Sequence, residues 1–314
     1  MNDRGPATSA RPVVNPGADA PLAPPPRERP RAPATPWRRA VRRFLRDGWG
    51  LAGGLIVAGF AIIAVGSWLG AWGTDWVLAT GGQWEGPSAR HPLGTTILGQ
   101  DILARALAST RTAFEIGLVV AALSTLLGAL FGALAGWFAG GPADAAIAWL
   151  KGVLDSIPFY LFVAAVAFAL DDHPWAMHLA MIATFWTTTA RLVRAEVIRL
   201  REREFVEAAR AVGVPPMTIL RRHVVPNTIH VLLVQASIVF VAAIKSEVIL
   251  SFLGLGVEDG ISWGLMIAES TTEITSGRPW NFIAASSFLF LLVMGFNLFA
   301  DAMQDALDPR EERR

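Results

Sequence analysis

The sequence contains few residues of the kinds that carry out chemistry. No cysteine occurs among its 314 residues, which excludes a thiol nucleophile, a disulfide framework and a cysteine-ligated metal. A phosphate-binding loop needs Gly-Lys-Ser/Thr, whereas the two lysines, Lys151 and Lys245, follow leucine and isoleucine. The histidines show no metal-ligand spacing such as H-E-x-x-H and are expected to be interfacial or capping residues: His91, His173, His178, His223 and His230. We therefore predict that the chain is not an enzyme and holds no cofactor or metal.

Lys245 and Glu247 are the exception, because they stand inside an otherwise apolar stretch. Charges in such a stretch are costly and often functional. Two residues apart on a helix, they point about 200° away from each other and should not pair. Lys245 would lie about 24 Å along a helix that begins at Ile229, near its outer end. Either the lysine reaches the outer interface of a membrane, or one of the two lines a substrate path.

The composition indicates what surrounds these residues. Apolar residues make up 53% of the chain and charged residues 17%, against about 25% charged in soluble domains. About 20 apolar residues cross a bilayer as a helix. Six stretches are candidates, the third and fourth being short: 49–73, 116–143, 156–170, 174–190, 229–252 and 279–300. The sequence predicts an all-α polytopic membrane protein with about six transmembrane helices.

The arginines predict the orientation of these helices, since cytoplasmic segments are enriched in positive charge. Ten precede the first apolar stretch, eight lie between the fourth and fifth, and three lie at the end of the chain. Both termini and the loop 191–228 are therefore expected in the cytoplasm. Segments 74–112 and 254–278 are expected on the opposite side.

The chain divides into five predicted parts. Residues 1–36 hold ten of the twenty prolines and five arginines, a composition typical of a disordered tail. The basic flank and first transmembrane helix cover 37–76, and an extracytoplasmic segment covers 77–112. A core with five transmembrane helices covers 113–305, and 306–314 is a cytoplasmic C-terminus.

Small residues recur within the second apolar stretch. Gly128, Gly132 and Gly136 are spaced by four, so they share one helix face. This pattern favours close helix packing within the subunit; a dimer interface is the alternative.

The loop 201–227 is too polar to enter lipid. Residues 202–212 favour a helix, Gly213 can end it, and Pro215–Pro216 can open a second one. A DNA-reading helix-turn-helix is disfavoured because membrane helices tether both ends. A purely structural loop is the stronger alternative to a functional one.

The same loop resembles the EAA loop of ABC-importer permeases through Glu207-Ala208-Ala209, Gly213 and Pro226. Other segments in chain order are similar to the DppC/OppC (dipeptide, oligopeptide and nickel) type and extend the resemblance over residues 40–310: His91-Pro-Leu-Gly-Thr95, Gly99-Gln-Asp101, Arg105, Ser251-Phe-Leu-Gly-Leu-Gly256, Ser262-Trp-Gly264 and Asp305-Ala-Leu-Asp-Pro309. The chain departs from that pattern at Gln100, Thr96, Lys245 and 258–261.

The resemblance implies a permease subunit of the bacterial inner membrane that imports peptides, or a related solute such as nickel, by alternating access. It implies four partner subunits: a second similar permease, two cytoplasmic ATPases that bind ATP and Mg²⁺, and an extracytoplasmic binding protein. The chain would also contact membrane lipid, and it would bind no nucleic acid. Glu207, Ala208, Ala209, Gly213 and Pro226 would couple the chain to an ATPase. The alternative, an ion-coupled secondary transporter, would call for inverted repeats and midplane acids, and no repeat is seen.

Overall fold

The computed structural model describes residues 41–170, 173–256 and 260–307, and the predicted tail 1–36 lies outside this part. Regular structure in the described ranges is helical, apart from two isolated bridges in the loop before α2. Ten helices have both ends within the described ranges, and residues 41–44 are helical as well. The ten are α1 Gly48–Trp68, α2 Ile102–Trp137, α3 Pro142–Asp155, α4 Phe159–Ala169, α5 Ala176–Arg201, α6 Glu204–Ala211, α7 Pro216–Ile219, α8 Ile229–Phe252, α9 Trp263–Thr275 and α10 Trp280–Leu307. A π-helical turn, Leu220–Val224, and a 3₁₀ turn, Val225–Thr228, join α7 to α8. The all-helical prediction is confirmed.

Four helical segments in the described part are long and apolar enough to cross a membrane: α1, α2, α10 and the run from α7 through α8. A fifth candidate is the pair α3 and α4, which meet at 89°. The 26 residues of α5 span about 39 Å, which is long enough to cross a membrane. Its four threonines and its arginines make α5 more polar than the four segments named above. The polytopic membrane class is confirmed, and a count of six includes α5 and the bent pair.

The predicted third stretch, 156–170, contains only α4; α3 precedes it almost wholly outside the predicted stretches, and a break separates the two helices. Pro158 stands at the break with ψ of 127°, an extended conformation. Proline lacks an N–H and disfavours helical geometry in the preceding residue, here Ile157. The 11 residues of α4 span only about 16 Å and cannot cross the hydrocarbon core of about 30 Å alone.

The second helix begins earlier than its apolar stretch. It contains 36 residues, about 54 Å, and so exceeds the hydrocarbon core by about 24 Å. Asp101 fixes its start, because Oδ1 accepts a hydrogen bond of 2.9 Å from the backbone N–H of Ala104. The predicted extracytoplasmic segment 77–112 thus contains the first three turns of α2.

The glycine face of α2 packs against α5 within the subunit. A Cβ added to any of the three glycines would come within 2.4–2.7 Å of an α5 atom: Thr189 for Gly128, Ala190 for Gly132 and Arg194 for Gly136. Contact this close is possible only without side chains on the glycine face. The prediction of packing within the subunit is confirmed.

Candidate functional site

Gly213 ends α6 in the manner predicted. Its φ is +85°, in the left-handed region that glycine adopts without a steric penalty. The N–H of Gly213 donates to the carbonyl of Arg210 at 2.9 Å, and that of Val214 donates to Ala209 at 3.1 Å. These two bonds form a Schellman motif, which satisfies carbonyls at the helix end and turns the chain sharply toward α7.

One face of the loop packs against the inner ends of α2 and α5. Val206, Ile219, Leu220 and Val224 are buried in a cluster with Trp137, Val193 and Val197. The guanidinium of Arg210 lies 5.4 Å from the centre of the Trp137 ring, and Arg201 donates to the Trp137 carbonyl at 3.0 Å. The loop is therefore a folded unit attached to α2 and α5.

The opposite face of the loop is exposed and partly apolar. Glu207 and Ala208 are exposed, whereas Ala209 is half-buried against the cluster. Phe205 is 41% exposed and Val212 84% exposed, the latter an unusual value for a large apolar side chain. Pro226 is exposed as well, but it lies in the 3₁₀ turn that leads into α8 and not on α6.

An ion pair that the sequence did not predict joins α5 to α3 near the loop 201–227. Arg194 on α5 donates from Nε and Nη2 to the two carboxylate oxygens of Asp144 on α3, at 2.7 and 2.8 Å. Asp144 also accepts from the backbone N–H of Gly140 at 2.9 Å. Two parallel bonds of this kind fix orientation as well as distance.

The two charged residues of α8 have different surroundings. Lys245 is exposed, whereas Glu247 is 1% exposed, so they point apart as predicted. Ser251 Oγ donates to Glu247 Oε1 at 2.5 Å, and the Ser262 side chain also hydrogen-bonds this carboxylate. Ser262 is in turn the N-cap of α9 and accepts from Leu265 N–H at 3.2 Å. Glu247 therefore connects α8 to the start of α9.

The Ser-Trp-Gly segment has a packing role in this arrangement. Trp263 Nε1 donates to the carbonyl of Ala106 on α2 at 3.1 Å. A Cβ on Gly264 would lie 2.5 Å from the carbonyl oxygen of Val248 on α8. Both contacts bring α9 close to its neighbours.

A buried arginine organises the outer end of α2. Arg105 is 3% exposed and donates to Gln100 and to Glu269 on α9. Gln100 also donates from Nε2 to the carbonyl of Val77 at 3.1 Å. Gln100, at which the chain departs from the DppC/OppC pattern, is therefore a hydrogen-bond acceptor for Arg105. No sequence pattern indicated this contact.

A second carboxylate of α9 lies nearby. Glu273 is buried and accepts from the backbone N–H of Ile97 at 3.2 Å. Burial raises the pKa of Glu273, against the opposing effect of the hydrogen bonds from Ile97 and Asn281. Burial also raises the pKa of Glu269, against the opposing charge of Arg105.

The loop before α2 is closed by a histidine–aspartate contact. His91 Nδ1 lies 2.8 Å from Asp101 Oδ2, so both carboxylate oxygens of Asp101 have partners. Glycines with positive φ at Gly94 and Gly99 permit its tight turns. Within the described residues, no three histidine, aspartate or glutamate side chains come together to hold a metal ion.

Comparisons with known proteins agree with this arrangement. Residues 128–313 match the family described as "Binding-protein-dependent transport system inner membrane component". The chain belongs to this family, whose members are multi-pass permease subunits of ABC importers in the inner membrane.

Individual relatives place it within that family. It is 39% identical to the oligopeptide transport system permease protein OppC of Mycobacterium tuberculosis over 71% of this chain and 77% of the relative. It is 31% identical to the dipeptide transport system permease protein DppC of Alkalihalophilus pseudofirmus over 96% and 97% of the two chains. OppC of Escherichia coli is 33% identical over 88% and 91%. The chain is thus a permease of the DppC/OppC type.

Proposed function

We propose that the chain imports short peptides by alternating access, together with a second permease, two ATPases and an extracytoplasmic binding protein. The relatives named for oligopeptide and dipeptide transport support peptides over nickel as the solute. ATP and Mg²⁺ would bind only to the ATPase subunits. The termini and the loop 191–228 would face the cytoplasm, where ATP is available.

The observation that carries the proposal is the shape of the loop. A membrane permease driven by ATPases needs a rigid element that transmits their motion. The cluster around Trp137 fixes one face of α6 to α2 and α5, while Phe205, Ala208 and Val212 remain exposed on the remainder of the loop. We propose that this exposed part contacts an ATPase. Glu207 would form the polar rim, the small Ala208 would permit close approach, and Gly213 and Pro226 would set the turns on either side.

The charged residues of α8 have separate proposed roles. Lys245 is exposed and would line the translocation path in the assembled transporter. Glu247 is enclosed by its serine partners, and we propose that it holds α9 against α8 at the outer end of that path.

The coupling proposal is tested by enlarging Ala208. Because this side chain is exposed, Ala208→Trp should fold and insert normally but hold the ATPase away from the loop. We expect peptide uptake to fall at least about tenfold, since loss of 1.4 kcal/mol of contact energy already has that effect. Membrane abundance, ATPase co-purification and uptake are measured in the same strain.

Ala208→Ser is the matched control, since it changes polarity and hardly changes size; its uptake should resemble that of the native chain. Normal abundance and full uptake in Ala208→Trp would contradict the coupling role. Loss of the variant from the membrane would instead support a purely structural loop.

A further inference from the structure

An outer cavity of about 800 Å³ is separate from the coupling loop and lies beside the serine partners of Glu247, since Gly256 and Ile261 line it. It lies between the end of α1, the outer part of α2, the end of α4, the start of α5 and the segment that follows α8. If Trp137 marks the inner boundary of the membrane, about 20 residues of α2 cross the hydrocarbon, and its outer boundary is near Gly117. The cavity residues of α2, from Ala108 to Ile116, therefore lie at or outside the outer boundary.

Two opposite charges line this cavity on one side. Arg111 and Glu115 are both exposed, and neither forms a hydrogen bond or an ion pair with another described residue. Pairs four residues apart on a helix often bind each other, but the order with the cation first is the less favourable one. Glu115 interacts electrostatically with His178, which lines the same cavity. As far as the described residues show, the arginine and the glutamate both leave room for a ligand that carries the two opposite charges.

The spacing of these charges fits the ends of a short peptide. Four residues of helix rise about 6 Å, and two extended residues span at most about 7 Å. Guanidinium groups bind carboxylates through two parallel hydrogen bonds, and a carboxylate accepts strongly from an ammonium group. A zwitterionic dipeptide therefore matches the two side chains along the axis of α2.

The remaining walls suit side chains of many kinds. Trp76, Trp175 and His178 line the cavity, and the rings of Trp175 and His178 lie 4.9 Å apart. Aromatic surfaces contact apolar and polar groups without demanding one shape. The geometry offers two opposite charges for the peptide termini and an adaptable surface for the part of the peptide between them.

We propose that this cavity receives short peptides with free termini, Arg111 holding the carboxylate and Glu115 the ammonium group. The inference rests on the proposed import of peptides and adds a site for them on this subunit. It also predicts selectivity within the permease, for peptide ends and not for peptide sequence.

The test uses the absence of native cysteine in the chain. Thr74→Cys places a thiol at the cavity, and Ala89→Cys places one on the exposed loop away from it. The full transporter in membranes is labelled with a small thiol reagent at increasing concentrations of dialanine. Dialanine should slow labelling of Cys at position 74 and leave position 89 unchanged, whereas N-acetyl-dialanine amide should protect neither position.

Charge variants in the Thr74→Cys background identify the contacts. Arg111→Gln and Glu115→Gln should each raise the dialanine concentration for half-protection about tenfold. Arg90→Gln, an exposed arginine that does not line the cavity, should leave it unchanged. Equal protection by the blocked peptide, or unchanged protection in both cavity variants, would overturn the site.

Uptake of dialanine, measured in the same strains, separates this inference from the proposed function. Normal uptake without protection at position 74 would overturn the cavity site and leave the importer standing. Absence of both uptake and protection in the native background would count against both.

Discussion

At the scale of single residues, Glu247 shows how a carboxyl group can be kept inside a membrane protein. Its carboxylate is enclosed, with hydroxyl donors from Ser251 and Ser262. Leaving buried donors without an acceptor costs about 1–3 kcal/mol. Lys245, two residues away, is exposed, so its side chain is not enclosed in the way that the Glu247 carboxyl group is.

We expect Glu247→Leu to destabilise the protein by about 1–3 kcal/mol, because both serines lose their acceptor. Glu247→Gln keeps one acceptor oxygen and should cost less. Lys245→Met serves as the exposed control and should change stability little. Thermal unfolding of the purified subunit in detergent measures all three; equal melting temperatures for the leucine and methionine variants would argue against the holding role.

At the scale of elements, the contact between α2 and α5 depends on the absence of side chains. A Cβ on Gly132 would lie 2.6 Å from the carbonyl oxygen of Ala190, and a backbone atom cannot move aside as a side chain can. By contrast, a Cβ on Gly59 of α1 would meet nothing within 4 Å.

Gly132→Ala should therefore destabilise the subunit by about 1–3 kcal/mol through overpacking. Gly59→Ala makes the same chemical change in open space and should be neutral or slightly stabilising, since alanine favours the helix. Melting temperatures and membrane abundance check the pair. Equal stability of the two variants would show that α2 and α5 separate easily at this point.

Several elements could be predicted from local sequence and others could not. The predicted stretch 229–252 has the same limits as α8, because the sequence is mostly apolar over this length. The start of α2 was missed, since its first turns carry Arg105 and Arg111 and are therefore not continuously apolar. The start of this helix is marked by the N-cap Asp101 and not by a change in hydrophobicity. The helix α3 was missed because Asp144, Lys151 and Asp155 interrupt its apolar composition.

At the scale of the whole molecule, the candidate coupling loop was predictable and the outer polar cluster was not. Glycine and proline mark the ends of α6 and α7 locally, and the structure has Gly213 at positive φ as expected. The partners of Arg105 include Glu269, 164 residues along the chain. Sequence spacing carries no information about such a contact until the fold brings the two elements together.

The orientation of the molecule remains a prediction, and single cysteines can test it. Ala89→Cys and Thr271→Cys should react with an impermeant thiol reagent in intact cells, because both positions are exposed in segments expected outside. Thr218→Cys, exposed in the coupling loop, should react only after permeabilisation. Labelling of position 218 in intact cells would reverse the topology.

The length of α2 has a mechanical consequence. Its inner end carries Trp137, which contacts Arg201 and Arg210 of the loop, and its outer turns carry Arg111 and Glu115. A rigid rod of about 54 Å that pivots by about 5° at one end moves the other end by about 5 Å. No proline interrupts the helix, so α2 is built to act as a lever that converts a small rotation at the loop into a displacement of several ångströms at the outer cavity. Spin labels at the two ends would reveal whether they move together as a single body.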